Sequence, residues 1–199
     1  MSIETEFIVG KKTILCPMQK QDIDYFADLY ISNAIKLRRF KQEDLNKEEI
    51  IKTILLALIA GNIKIWLGIT NQGKAYRKIG FIYLTEITET TCNINGVVDI
   101  NFLKGLSKVL DRKGKPSYTE DAFMNMLEHI FTKTTIERVE ANIISTNNLA
   151  IKLCKKCGLK KEGLLHSACR IEGKSANLVI MAILKKDWLL KNIVKEGGK

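Results

Sequence analysis

Apolar positions along the chain change their period several times, and each change predicts an element. Residues 6–18 read as a first strand, broken at Gly10 and stopped near Pro17. From 21 to 39 the apolar side chains Ile23, Phe26, Ala27, Tyr30 and Ile31 fall at helical spacing. A second helix starts after Asn46, carries Glu48 and Glu49 in its first turn, and ends at Gly61. Three strands follow, at 63–69, 79–87 and 97–102, with the last two joined by a turn at Asn95–Gly96. Alternation in the third puts Val97, Asp99 and Asn101 on one face and Val98, Ile100 and Phe102 on the other. The stretch 103–113 is basic, glycine-containing and without period. Ser117 and Glu120 then fit a capping box, and Ala122, Phe123, Met126, Leu127, Ile130 and Phe131 give the next helix its apolar face.

The most organised stretch runs from 135 to 163. A strand at 138–145 passes through a polar junction at 146–148 into a helix that Gly158 closes. That helix places Leu149, Ala150, Leu153, Cys154 and Cys157 on one stripe, with Lys152, Lys155 and Lys156 outside. Strands at 164–171 and 177–184 flank a turn at Glu172–Gly173. An element at 186–194 containing Trp188 leads into a short tail, so that 186–199 forms the C-terminal end. The order β-αα-βββ-α-β-α-ββ predicts an α/β (α+β) mixed sheet with helices on both faces, in one domain over 1–199.

Composition adds little to the fold but narrows the chemistry. An apolar content of 46% over 199 residues suits a single core. The formal charge of +10 suggests anionic partners such as phosphates. The N-terminus lacks the pattern of a signal peptide, and the apolar run at 54–61 is too short to span a bilayer, so a cytoplasmic location is expected. Five dispersed cysteines predict free thiols. Cys154 and Cys157 form a C-x-x-C inside a helix with no second pair at zinc spacing, so no metal is expected.

The second half of the chain resembles the GNAT superfamily of acyl-CoA-dependent N-acyltransferases, and within it the ribosomal-protein N-terminal alanine/serine acetyltransferase-like branch. The resemblance rests on Arg138, Val139, Glu140 and Ala141, then Asn147 and Ala150, then Lys156, Gly158 and Leu159, then Glu162 and Gly163, and Trp188. Residues 78–84 also look like the family's central strand. The resemblance implies acetyl-CoA as co-substrate, a primary amine as acceptor and direct attack in a ternary complex. The family's pyrophosphate loop aligns with 111–120. Arg112, Lys113, Gly114, Lys115, Ser117 and Tyr118 would hold the diphosphate there through backbone amides and basic side chains. Gly114 stands at the loop's first glycine, whereas Pro116 stands at the second and donates no N–H.

The same resemblance implies site residues elsewhere. The backbone of 98–102, including Ile100 and Phe102, would face the thioester, and Asn147 would meet the pantetheine arm; Asn147 also reads as an ordinary N-cap. Asp99 is the leading general base, with Glu86 and Glu89 as alternatives. Cys154 stands where many relatives carry a tyrosine acid, although a thiol on a buried stripe also reads as packing. His166 and Asn177 depart from the branch on the amine side, and His129 reads as packing-related. A positive cluster at Lys36, Arg38 and Arg39, beside Phe40, favours an anionic acceptor over a compact polyamine. Monomer and homodimer both fit. An acetyl-CoA-binding module without turnover is the second reading. A basic nucleic-acid-binding protein is the third and lacks any recognisable nucleic-acid motif.

Overall fold

The computed structural model describes residues 4–36, 45–71, 76–99, 101–102 and 117–196. Its strands are β1 (Ile8–Val9), β2 (Thr13–Pro17), β3 (Lys64–Thr70), β4 (Lys78–Thr85), β5 (Thr91–Val98), β6 (Arg138–Ile144), β7 (Lys160–Ile171) and β8 (Lys174–Leu184). Its helices are α1 (Ile23–Lys36), α2 (Lys47–Ile59), α3 (Tyr118–Lys133), α4 (Asn148–Cys157) and α5 (Lys185–Glu196). The described strands form one sheet in the order β1-β2-β3-β4-β5-β6-β8-β7. Every neighbouring pair is antiparallel except β5 and β6.

Strand alternation divides the core between the two faces of this sheet. On one face Trp66, Ile82, Leu84, Cys92, Ile94 and Val139 pack with Met126, Leu127 and Ile130 of α3 and Cys154 and Cys157 of α4. Trp188 of α5 closes that layer, its ring 5.6 Å from Phe131. On the other face Ile65, Leu67, Phe81 and Val97 pack under Phe26 and Leu29 of α1 and Ile54 of α2. Phe26 meets Phe81 edge-on at 5.0 Å.

Three sequence expectations change in the folded chain. The first strand is a hairpin: the Gly10 N–H donates to the Thr13 carbonyl, and the turn lies directly on α3. Asn95–Gly96 is not a turn but the middle of β5, paired with Tyr83 and Ile82. The reversal comes earlier, at 86–90, where the Thr88 hydroxyl accepts from the N–H groups of Thr90 and Thr91. The expected strand at 97–102 ends at Val98; Asn101 and Phe102 are helical, so no strand alternation orients Asp99 and Asn101 together.

His129 of α3 is packed as expected, under the Trp66 ring and with Nδ1 3.4 Å from a Glu6 carboxylate oxygen. Burial holds its pKa below the ordinary histidine value, because charging it costs desolvation. The unfolded chain therefore binds the proton first. The stability this histidine contributes is full above pH about 6.5, the unfolded value, and is lost as pH falls through the lower folded value. Urea midpoints measured between pH 8 and 5 are expected to fall, and to fall less in His129→Leu.

Candidate active site

β5 and β6 pair in parallel over a single short stretch, Thr91–Asn93 against Arg138–Glu140, and then part. Beyond that last rung β5 stays on β4 through Val98, while β6 turns to β8 and keeps its ladder through Ile144. The separation opens a gap between Ile94–Val98 and Ala141–Ile144, closed at the Asn93–Glu140 end. Two helix N-termini stand at its open end. α3 has its N-cap at Ser117, and its Tyr118 ring lies 5.4 Å from Phe102, just past the end of β5. α4 has its N-cap at Asn147, three residues past the end of β6.

Each N-terminus is capped by its own side chain. Ser117 Oγ accepts from the Glu120 N–H at 3.1 Å, and Asn147 Oδ1 accepts from the Ala150 N–H at 3.2 Å. The capping role of Asn147 is thus present. The start of α3 faces the open end, where a helix N-terminus favours an anion, whereas in α4 the Asn148 N–H already donates to the Thr146 carbonyl at 3.0 Å. Lys12 lies over the Tyr118 ring at 5.6 Å and Arg77 over the Phe102 ring at 5.5 Å, adding positive charge around the entrance of α3. Ile100, Asp111, Arg112, Lys113, Gly114, Lys115 and Pro116 lie outside the described residues.

Asp121 fixes the position of α3. It is buried, and its Oδ2 accepts from the Lys12 N–H (3.0 Å), the Thr13 N–H (3.0 Å), the Thr13 hydroxyl (2.7 Å) and the Asn125 amide (3.1 Å). A charged acceptor thereby fastens the first turn of α3 to the β1–β2 hairpin.

The candidate proton-transfer residues fall in three different places. Asp99 lies at the open end of β5. Its carboxylate accepts from the Tyr25 hydroxyl at 2.9 Å and from the Asn101 N–H at 2.7 Å. Burial, together with that bond to Asp99, raises the Tyr25 pKa, so the phenol stays a donor that ties α1 to β5. Cys154 sits in the core under α3, and burial pushes its thiol up to about 11. Glu86 lies at the closed end, in a left-handed backbone conformation (φ 50°), and its carboxylate accepts from the Asn93 amide. Glu89, in the turn that follows, is exposed, with its carbonyl accepting from the Thr135 hydroxyl at 2.8 Å.

Around that closed end the face beneath α1 and α2 is polar. Asn93 is 6% exposed and its Oδ1 has no hydrogen-bond partner. The Asn95 amide donates to the Thr85 hydroxyl at 3.1 Å. Arg138 donates through Nε to Glu140 and through its two terminal nitrogens to Glu162, joining β6 to β7 and holding the Glu162 carboxyl below its usual range. His166 is exposed on β7, while Asn177 Oδ1 accepts from the Ser167 N–H at 2.9 Å. Sequence reading passed over Asn93 and Tyr25. The available signal was two asparagines, 93 and 95, alternating with apolar residues on what had read as a turn.

A family model described as an acetyltransferase (GNAT) domain matches residues 17–179. The chain belongs to the GNAT acetyltransferase family. Among solved structures, this GNAT chain is similar to spermidine N-acetyltransferase from Vibrio cholerae in complex with CoA and spermine. That likeness has 17% identity and a TM-score of 0.71, covering 89% of this chain and 98% of the other. It is equally similar to a ribosomal L7/L12 alpha-N-protein acetyltransferase in complex with coenzyme A, with 16% identity, a TM-score of 0.70, and 90% and 98% covered. A probable GNAT-family acetyltransferase from Chromobacterium violaceum shows 16% identity, a TM-score of 0.70, and 94% and 90% covered. A curated relative, an uncharacterized N-acetyltransferase p20 from Bacillus licheniformis, is 25% identical over 119 residues. The match takes in 59% of this chain and 66% of the relative's length. The similar structures span spermidine and ribosomal enzymes, so they support the GNAT fold and not the ribosomal branch in particular. Among the described residues no helix is long and apolar enough to cross a membrane.

Proposed function

We propose that this GNAT chain transfers the acetyl group of acetyl-CoA to a primary amine by direct attack in a ternary complex. The observation that carries the reading is the gap between β5 and β6, closed at Asn93–Glu140 and faced at its open end by two helix N-termini. The residues present fit the co-substrate. First-turn amides of α3 suit a diphosphate, and the part of β5 left without a partner on the β6 side offers peptide groups to a pantetheine arm. From Val98 to Asn93 the strand spans about 17 Å at 3.3 Å per residue, so an arm entering at α3 ends near the closed end. Bound acetyl-CoA supplies the acetyl group as a thioester, activated toward an amine.

On this reading Ser117 and Tyr118, with Arg112–Lys115, surround the diphosphate, and Asn147 orients the start of α4 beside the arm. Glu86 is favoured over Asp99 as the proton acceptor. Asp99 is at the far end of the gap and already holds two donors. Cys154 is assigned to packing, since a thiol held at about 11 by burial has little contact with solvent or substrate. Acetyl transfer in Cys154→Ala is accordingly expected within about threefold of wild type, with stability lower by about 1 kcal/mol; amine-dependent thiol release and thermal melting check both. A hundredfold loss of kcat with an unchanged melt would make Cys154 the acid instead.

The experiment for the reading itself is titration with acetyl-CoA followed by thiol release in the presence of spermidine, glucosamine 6-phosphate and a peptide beginning with alanine. Release with one of them supports acetyl transfer and reports whether the acceptor is cationic or anionic. Tight acetyl-CoA binding without amine-dependent release would replace it with the binding-module reading. Lys36 ends α1, and Arg38, Arg39 and Phe40 lie outside the described residues. The anionic-acceptor expectation therefore rests on that panel.

A further inference from the structure

We infer that Asn93 is the residue that receives the acceptor's amine, its free Oδ1 taking an N–H while the neighbouring Glu86 carboxylate takes the proton. This rests on the acetyl-transfer reading and deepens it.

Asn93 stands on the last rung that β5 and β6 share, opposite Glu140. Alternation puts its side chain on the same face as Val97, the face that α1 and α2 cover. The residue is 6% exposed, and its Oδ1 exposes less than 1 Å² without a partner. Buried side-chain oxygens without a donor are rare, and each calls for a physical reason. The orientation of the amide follows from chemistry. Glu86 Oε2 is a carboxylate oxygen against one end of the amide, and only the NH2 end can donate to it. The opposite end is therefore the carbonyl, an acceptor that only a donor satisfies. An ammonium or amine N–H is such a donor; a phosphate or carboxylate is not.

The charges nearby agree. Arg138 is committed to Glu140 and Glu162. Among the described residues no lysine or arginine pairs with Glu86, which leaves one carboxylate beside the orphan oxygen to attract a cation. Glu86 is also solvent-exposed on its outer side, so a proton it accepts has a route to water. Seating the donor requires the side chains over this rung to part by the width of an N–H. In the step that follows, one proton of the RNH3+ group moves to Glu86. The freed nitrogen lone pair forms the N–C bond to the acetyl carbon, and the C–S bond breaks with its electron pair going to sulfur. The second nitrogen proton, passed through water, neutralises the thiolate, and Glu86 returns its own proton to solvent.

The test uses the full chain saturated with coenzyme A, into which the best amine of the panel is titrated calorimetrically; kinetics with acetyl-CoA run in parallel. Asn93→Ala is expected to raise the amine Kd and KM at least tenfold while the coenzyme A Kd stays within twofold. Glu86→Gln keeps a carbonyl for the Asn93 amide and is expected to lower kcat at least thirtyfold with a smaller change in KM. Being a surface substitution, it also serves if Asn93→Ala melts early. An amine Kd unchanged in Asn93→Ala, or a kcat unchanged in Glu86→Gln, overturns the inference while leaving acetyl transfer standing. Wild-type protein that binds neither coenzyme A nor any amine overturns the underlying reading instead.

Discussion

Gly80→Ala is expected to destabilise the protein by about 4 kcal/mol and to abolish high-affinity acetyl-CoA binding in whatever fraction stays folded. Gly80 has φ +146°, a conformation that L-residues rarely adopt. A methyl group built on it would lie 2.8 Å from the Val98 Cα and closer still to the Val97 carbonyl oxygen. These are backbone atoms of the neighbouring strand and have no rotamer by which to move away. The site is also where β4 departs from its regular register with β3, Gly68 pairing with Gly80 and Ile69 with Lys78. The skipped residue, Ile79, uses its carbonyl to accept the Asp99 N–H and so carries the ladder past the end of β5. Adding a methyl pushes Val97–Val98 outward and with them the free arm of the gap. Urea unfolding gives the stability loss, and calorimetric titration with coenzyme A the second effect. A variant within 1 kcal/mol of wild type would mean that β5 yields where the packing says that it does not.

Asp121→Ala is expected to cost about 4 kcal/mol, built from several charge-assisted hydrogen bonds worth roughly 1.5–3 kcal/mol each and partly replaced by water. Removal of the carboxylate leaves the Lys12 and Thr13 N–H groups and the Thr13 hydroxyl facing an empty space beside α3. The melting temperature is expected to drop by about 12 °C for a domain of this size. Asp121→Asn keeps one acceptor oxygen and is expected to lose less than half as much. Because the hairpin sits on the first turn of α3, Asp121→Ala also loosens the helix end nearest the entrance. Coenzyme A affinity is expected to fall about tenfold, whereas a full loss of stability with unaltered affinity would detach the hairpin from the site. Gly10 belongs to the same contact: a methyl there would come within 2.7 Å of an Asp121 carboxylate oxygen.

Much of this architecture was legible from one dimension. Helices α2, α3 and α4 begin where their caps predict, because Asn46, Ser117 and Asn147 each bond an amide two or three residues ahead. Gly158 closes α4 in the left-handed conformation a C-cap glycine takes. The two core faces follow the apolar period, and the Arg138-to-Glu162 spacing that carried the family resemblance is an ion pair in space. Local rules failed where a neighbour decided the matter. Asn95–Gly96 is a strong turn signal by itself, yet β4 supplies a full ladder to both residues, and the polar turn at 86–90 takes the reversal. The strand expected to 102 stops at 98: past it the Asp99 N–H still bonds the Ile79 carbonyl of β4, but Asn101 and Phe102 are helical.

The sequence by itself determined the element order, the caps, the two apolar faces and membership of a family that handles acyl-CoA, since each depends on interactions within about four residues or on a fixed spacing along the chain. Only the tertiary structure decided which polar groups share a place. It set Asp99 against Tyr25 at one end of β5 and Glu86 against Asn93 at the other, a distinction that depends on where two parallel strands part. Past the shared rungs β5 keeps its ladder with β4 and β6 its ladder with β8, a choice of long-range partners that no local pattern records.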